Sequence, residues 1–360
     1  MSGEETHPHS GGVTIAVDGM GGDHAPDVVI DGAVAAVRDL GVHVLLTGLR
    51  SELERRLAAR GSPPGIEIVD APDRIAMEDH PTTAVRQKPN SSLVVGIRLV
   101  REGRADAFVS AGNTGAIMAA GLFELKRITG VTRPALATVY PTVQGGTLLV
   151  DAGANADCRP EHLVQFALMG SVYMAGVFGR TNPTVGLVSI GEEATKGNAL
   201  VQQTFPRLQQ LPINFVGNIE GRHIPAGTVD VAVCDGFVGN VIIKLSEGLA
   251  GAINALIRSE IEASSLGRVA ALGVLPAFRR VRRKMDYAEY GGAPLLGLNG
   301  ICIVAHGRSN ALAIASAIRV AKQSVENDVV GRIATGIAAL GLPDEGRADT
   351  LIGSEPGAAD

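Results

Sequence analysis

The sequence predicts an α/β protein: a three-layer, Rossmann-like α/β/α sandwich with a largely parallel sheet of about ten strands. Short apolar runs rich in β-branched residues recur along the chain, and such runs are typical of strands buried on both faces. Gly- or Asp-rich loops and amphipathic helical patterns follow these runs. The predicted strands are residues 13–17, 42–47, 66–69, 107–110, 135–139, 147–150, 185–190, 213–216, 229–234 and 301–304.

The helical pattern is clear after Pro26, where Val29, Ala33, Ala36 and Leu40 fall on one stripe at helical spacing. Proline is tolerated in the first turn of a helix. Because no low-complexity linker divides the chain, we expect one domain of two interlocked halves over residues 13–343. The polar, small-residue ends, 1–12 and 344–360, are predicted to be flexible tails.

The composition limits the classes of function. Of 360 residues, 46% are hydrophobic and 19% charged, which predicts a folded protein. A net charge of −5 and only 3% aromatic residues argue against nucleic-acid binding. The cysteines, Cys158, Cys234 and Cys302, are far apart and form no CxxC pair, as expected in a reducing cytoplasm. The polar N-terminus and the lack of an uncharged run near ~20 residues predict a cytoplasmic protein without a spanning helix.

Polar glycine-rich loops follow several predicted strands, and ligands of α/β sheets bind at the carboxyl ends of strands. For each loop alone, a tight turn with a helix cap is an alternative to a binding role. The first loop lacks the third glycine of a dinucleotide fingerprint. The first two loops contribute Asp18, Gly21, Gly22, Asp23, Ser110, Gly112, Asn113, Thr114 and Gly115 as anion-binding candidates.

Two further loops carry side chains suited to catalysis. Lys196, in residues 191–198, could hold a phosphate oxygen, or could instead be a surface lysine paired with Glu192 or Glu193. Asn240 follows a strand and could donate a hydrogen bond to an oxyanion. Together the loops predict one phosphate-binding pocket without metal or cofactor. Its other candidates are Asp151, Asn155, Glu193, Asp235, Gly236 and His306.

The ordered set of motifs resembles the PlsX-type phosphate acyltransferase family of bacterial phospholipid synthesis. The match runs from about Val13 to about Asn310, and Ala194 is a departure because a further Glu is common there. The matching motifs are residues 18–24 with Pro26, 110–116, 133–136, 151–157, 191–198, 234–240, 295–300 and 306–307.

The resemblance implies transfer of a long-chain acyl group from acyl carrier protein to inorganic phosphate. It also implies the isocitrate dehydrogenase and phosphotransacetylase fold, a homodimer, and a downstream membrane glycerol-3-phosphate acyltransferase. It places Lys196 and Asn240 at the reaction centre. Phosphate is substantially dianionic, with a second pKa of about 6 for related esters, so we expect direct attack on the thioester without a Ser or Cys nucleophile.

Residues 264–292 break the α/β pattern, because an apolar stretch is followed by a basic one. We expect contact with anionic lipid or with the acidic carrier, and peripheral association with the membrane; a dimer or core helix is the alternative. The proposed contact residues are Leu266, Leu272, Leu275, Phe278, Arg279, Arg280, Arg282 and Arg283. Three other functions remain open: a phosphotransacetylase-like enzyme using acyl-coenzyme A, a nicotinamide-dependent dehydrogenase, and a non-catalytic scaffold.

Overall fold

A computed structural model describes residues 12–263, 273, 276 and 290–341. Within them the strands are β1 (Thr14–Asp18), β2 (His43–Gly48), β3 (Ile66–Asp70), β4 (Ala107–Ser110), β5 (Ala135–Thr142), β6 (Gly145–Val150), β7 (Thr184–Val188), β8 (Asn214–Ile219), β9 (Val231–Val233), β10 (Ala293–Leu296) and β11 (Ile301–Val304). The helices are α1 (Asp27–Leu40), α2 (Arg50–Ala58), α3 (Pro81–Gln87), α4 (Ser92–Arg101), α5 (Thr114–Glu124), α6 (Pro160–Phe178), α7 (Ala199–Leu208), α8 (His223–Ala226), α9 (Gly236–Glu262), α10 (Ala311–Glu326) and α11 (Val329–Ala339).

The predicted α/β class with a largely parallel sheet is confirmed. Each of the ten predicted strands is present, with ends that shift by a few residues. The prediction missed β10, which has only four residues and contains Pro294. The chain forms two compact units, Met1–Leu125 with Gly300–Asn327 and Lys126–Asn299 with Asp328–Asp360.

The first unit contains five parallel strands in the order β3-β2-β1-β4-β11. Every residue of β1 is buried, and since successive strand residues point to opposite faces, both faces of this strand are covered. Helix α1 packs against α10, while α4 packs against β1, β2 and β4. The carboxyl ends of β1, β4 and β11 therefore lie side by side and carry three of the polar loops.

The second unit contains six strands in the order β10-β5-β6-β9-β7-β8. Strand β5 is antiparallel to β10 and to β6, whereas β6, β9, β7 and β8 are parallel. The loops that follow β6, β9 and β7 therefore share one edge of this sheet, with the β9 loop in the middle.

Helix α9 has an unusual exposure. It packs near its start, where Val238, Ile242 and Ile243 contact a buried cluster around Leu149 and Ala232. By length and apolar composition alone, this helix could cross a membrane. The sequence did not indicate this, because the search there was for an uncharged run and α9 contains charged residues. Its exposed apolar stripe consists of Phe237, Val241, Leu245, Leu249, Ile253 and Leu256, each 47–68% exposed.

Candidate active site

In the first unit, a buried carboxylate joins two of the predicted loops. Asp18, the last residue of β1, accepts a 2.7 Å hydrogen bond at Oδ2 from the hydroxyl of Ser110, the last residue of β4. The same hydroxyl oxygen accepts the N–H of Gly112 at 2.9 Å. Burial raises the pKa of Asp18, and hydrogen bonds from the Ser92 and Ser110 side chains oppose that rise. Asp18 therefore fixes the geometry of both loops.

The glycines of the first loop are required by close packing. A Cβ on Gly21 would lie 2.5 Å from Oδ2 of Asp18 and 2.9 Å from Oγ of Ser110. Gly22 has a φ of +105°, which L side chains rarely adopt. The Asp23 N–H donates to the Gly307 carbonyl at 2.8 Å, next to His306, whose Nδ1 accepts the Arg308 N–H.

Asn113 is engaged at both ends of its side-chain amide. Oδ1 accepts the Ala116 N–H and so caps α5, while Nδ2 donates to the carbonyl of Met77 at 2.9 Å and of Asp79 at 3.1 Å. The N-terminal turn of α5, including Thr114 and Gly115, is thereby held in place. Free backbone N–H groups at a helix start, rather than the Asn113 side chain, are the groups left to bind an anion here.

In the second unit, Asp151 plays the same organising role after β6. The fully buried carboxylate accepts the N–H groups of Gly153, Ala154 and Asn155, at 2.8–3.1 Å. Burial raises its pKa, and these hydrogen bonds oppose the rise. Because its oxygens are occupied, Asp151 shapes the loop rather than presenting a free carboxylate.

Asn155 connects the Asp151 loop to the start of α9. Its Nδ2 donates to the Pro134 carbonyl and to Asp151, both at 2.8 Å, and its carbonyl accepts the Gly236 N–H at 2.7 Å. A Cβ on Gly236 would lie 2.8 Å from the backbone N and O of Asn155. The loops after β6 and β9 are thus locked against each other.

Asn240 lies in the second turn of α9, directly after this pair of loops, and is exposed. Asp235 caps α9 by accepting the Val238 N–H at 2.8 Å, which sets the direction of the first helical turns. An ideal Cβ on Gly153 would be 3.6 Å from Oδ1 of Asn240, so the two residues are neighbours. Among the described residues the Asn240 amide has no hydrogen-bond partner, and its N–H groups remain available to a ligand.

Lys196 lies in the loop after β7, the strand next to β9. Its side chain is exposed and forms no ion pair within the part of the chain that the structure describes. Glu192 instead pairs with Arg222 and His223, each at 3.4 Å, and Glu193 holds Lys196 only through its carbonyl, which accepts the Lys196 N–H at 3.0 Å. Lys196 and Asn240 therefore belong to adjacent strand ends of one sheet edge.

Sequence reasoning did not select two residues near this edge. Arg133 is exposed and directly precedes Pro134, whose carbonyl accepts the Asn155 amide at 2.8 Å, so its backbone lies close to the Asn155 turn. Asn218, buried in β8, donates to the loop that carries Lys196. Arg133 was visible as part of a matching motif, whereas the only signal for Asn218 was a polar residue at the end of an apolar run.

The cysteines are not activated. Burial raises the pKa of Cys158 and of Cys302 to about 12, and it also raises that of Cys234. All three thiols are therefore protonated near neutral pH. No cluster of three metal-ligating side chains occurs among the described residues. The eight predicted lipid or carrier contacts, Leu266 to Arg283, lie outside those residues.

The fold is shared with solved phosphotransacetylase structures. A phosphotransacetylase from Streptococcus pyogenes superposes with a TM-score of 0.61 at 16% sequence identity, covering 88% of this chain and 94% of the other. At this identity the likeness defines the class of fold, and it agrees with the predicted phosphotransacetylase-type architecture.

The sequence comparisons are more specific. The phosphate acyltransferase of Desulfitobacterium hafniense is 52% identical over 320 residues, 89% of this chain and 96% of that protein. That of Desulforamulus reducens is 52% identical over 323 residues, with the same coverage. The family model described as fatty acid synthesis protein matches residues 13–332. The chain belongs to this family, as the motifs predicted, and the predicted enzyme class, an acyltransferase, is confirmed.

Proposed function

We propose that this acyltransferase moves a long-chain acyl group from the thioester of an acyl carrier protein to inorganic phosphate, giving acyl phosphate for phospholipid synthesis. The main support is that Lys196 and Asn240 follow neighbouring strands of the second unit. Both side chains are exposed, and neither forms an ion pair or a hydrogen bond with another side chain among the described residues. A phosphate and a developing oxyanion are the ligands that such groups stabilise.

The reaction needs no protein nucleophile. Phosphate, with a second pKa of about 6 in related esters, is already substantially dianionic near neutral pH. One of its oxygens forms a bond to the carbonyl carbon, the carbon–sulfur bond breaks, and the thiol, with a pKa of about 8.5 by analogy with cysteine, leaves as thiolate. The protonated thiols of Cys158 and Cys234 agree with this direct attack.

Each side chain then has a defined task. The Lys196 ammonium binds phosphate oxygens and offsets their charge as they approach the carbonyl. Arg133, exposed and next to Pro134 on the Asn155 turn, supplies a second cation. The Asn240 amide donates to the carbonyl oxygen as it becomes an oxyanion. Asp151 and Asn155 hold the loops so that these donors are oriented before substrate arrives.

The decisive test is incubation of the purified protein with radiolabelled phosphate and either acyl-carrier-protein thioester or acyl-coenzyme A, with transfer of the label into acyl phosphate measured. We expect acyl phosphate from both donors, with the higher kcat/KM for the carrier thioester. A preference for coenzyme A would favour the phosphotransacetylase-like alternative, and no product from either donor would reject the proposal. Isolation of an acyl-enzyme by mass spectrometry would contradict direct attack.

We further propose that the active form is a homodimer paired through α9. The exposed stripe from Phe237 to Leu256 is an apolar surface of the kind that soluble proteins cover. Two such helices can cover each other, because residues spaced by three and four positions form a continuous ridge. The same arrangement accounts for the apolar character of α9 without a membrane.

We also propose a cytoplasmic enzyme that binds the inner membrane surface peripherally and passes acyl phosphate to a membrane glycerol-3-phosphate acyltransferase. Support comes from the apolar and basic sequence of residues 264–284. Liposome flotation tests it: a variant with Arg279, Arg280, Arg282 and Arg283 changed to Glu should lose binding to anionic vesicles. Unchanged flotation of this variant, with unchanged kcat/KM for the carrier thioester, would reject a role for the basic residues.

A further inference from the structure

Asn218 is a buried polar residue in a strand, and its position calls for an explanation. It is 5% exposed and pairs with Leu187 in the register of β7 and β8. A primary amide in such a place loses its hydration, so its groups must find partners within the protein.

The donor half of the Asn218 amide has a specific partner. Nδ2 donates to the Glu193 carbonyl at 2.8 Å, and the same oxygen accepts the backbone N–H of Lys196 at 3.0 Å. One carbonyl thus links Asn218 in β8 directly to the backbone from which the Lys196 side chain extends. The residues before and after Lys196 are also held: Gln202 Nε2 donates to the carbonyls of Thr195 and Gly197, each at 3.0 Å.

The acceptor half of the amide is not satisfied. Oδ1 of Asn218 is buried and has no donor among the described residues, and the same is true of Oγ of nearby Ser189. An unsatisfied buried acceptor lowers stability, so an isosteric apolar residue would serve the strand at least as well. The hydrogen bond to the loop that carries Lys196 is therefore the contact that accounts for an amide at this position.

We propose that Asn218 is a positioning residue for Lys196. By holding the Glu193 carbonyl it fixes the turn of residues 193–196 and keeps the lysine ammonium where phosphate binds. This inference rests on the proposed function for the role of Lys196, although the ordering of the loop can be measured without any activity.

The test compares Asn218→Leu with Asn214→Leu. Both residues lie in β8 and both amides donate to a backbone carbonyl, but the partner of Asn214 is Asn182 rather than the loop. Loss of one neutral hydrogen bond should speed tryptic cleavage of the Lys196–Gly197 bond about fivefold in N218L. Misplacement of the lysine should lower kcat by about 10-fold to 100-fold. We expect N214L to match the wild type in both measurements.

A double-mutant cycle separates positioning from a general structural effect. If Asn218 acts through Lys196, the double variant with Lys196→Ala and Asn218→Leu should have a kcat within about twofold of that of Lys196→Ala alone. An undiminished loss in that background would overturn the proposal, as would wild-type kcat or wild-type cleavage in N218L. Should N218L fold poorly, Asn218→Thr, a good strand former whose hydroxyl is too short to reach Glu193, is judged by the same criteria. Inactivity of the wild type would reject the proposed function and leave the cleavage result intact.

Discussion

The Ser110 hydroxyl and the Asp18 carboxylate are 2.7 Å apart and join the carboxyl ends of β4 and β1. Asp18 lies in the interior of the first unit, and burial raises the pKa of its carboxyl group. The folded protein therefore keeps the Asp18 proton to a higher pH than the unfolded chain does. It follows that the stabilising contribution of Asp18 falls as the pH rises from about 4 through the raised pKa.

We predict that Asp18→Asn removes this part of the pH dependence. The Ser110 hydroxyl can accept as well as donate, so it can pair with the new amide. The free energy of unfolding, measured in urea between pH 4.5 and 8, should fall less with pH in D18N than in the wild type. Asp39→Asn is the control, because its carboxylate has a pKa lowered by Arg38 and its effect is confined to acidic pH. Parallel curves for D18N and the wild type would contradict the prediction.

Gly239 should tolerate no side chain. Its Cβ would lie 1.8 Å from the Asp151 carbonyl oxygen, so Gly239→Ala must push α9 away from the loop after β6. We expect a loss of about 1–3 kcal/mol in the free energy of unfolding, the usual range for overpacking. Gly251→Ala in the same helix has open space and should stabilise by about 0.5–1 kcal/mol. Equal stabilities of the two variants would show that the Asp151 contact is not tight.

The strands were predictable because a strand buried on both faces is a continuous run of apolar residues in the sequence. Runs such as residues 107–110 consist almost wholly of apolar residues and end at a polar loop. Strand β10 has no comparable run, since its four residues include a proline and a small alanine. It pairs antiparallel with β5, a contact set by tertiary packing rather than by local pattern.

The loops were predictable as loops, but the tasks of their side chains were not. Asn113, Asp235 and Asn198 carry the residue types of helix caps, and each accepts an N–H of the following helix. Whether Lys196 is paired could not be predicted, because it depends on contacts remote in sequence. Glu192, a possible partner of Lys196, instead pairs with Arg222, which lies 30 residues further along the chain. The role of Asn218 likewise requires knowledge of which loop lies over β8.

We predict that Lys196→Ala lowers kcat about 100-fold or more, because the ammonium offsets charge that increases as phosphate attacks. Lys196→Arg should recover part of the loss, since the charge is kept in a different geometry. Steady-state kinetics with the carrier thioester and varied phosphate measure both effects. Lys322→Ala removes a lysine that pairs with Glu326 and should leave the rate unchanged. A rate for K196A within about twofold of the wild type would return Lys196 to the status of a surface residue.

We predict that Asn240→Asp lowers kcat by about 100-fold with little change in KM, because the substitution removes a donor that acts on the oxyanion rather than on the bound thioester. The residue is exposed, so folding should be unaffected. Asn214→Asp makes the same chemical change at a position outside the site. If N240D raised KM at constant kcat, Asn240 would bind substrate and would not stabilise the transition state.

The final prediction concerns α9. Leu245 and Leu249 lie at the centre of its exposed stripe, and each buried leucine in an interface contributes about 1.5–3 kcal/mol. In a symmetric dimer each residue occurs twice. The double variant Leu245→Glu, Leu249→Glu should therefore raise the dimer dissociation constant at least about 100-fold. Sedimentation velocity across a concentration series measures this constant, with Asn254→Glu as a matched control on another face of the helix. A monomeric double variant with reduced kcat would support an active dimer paired through α9, whereas one that retains kcat would show that α9 pairs the chains without being needed for activity. A fully dimeric double variant would show that the chains pair through another surface, and a monomeric wild type would reject the dimer.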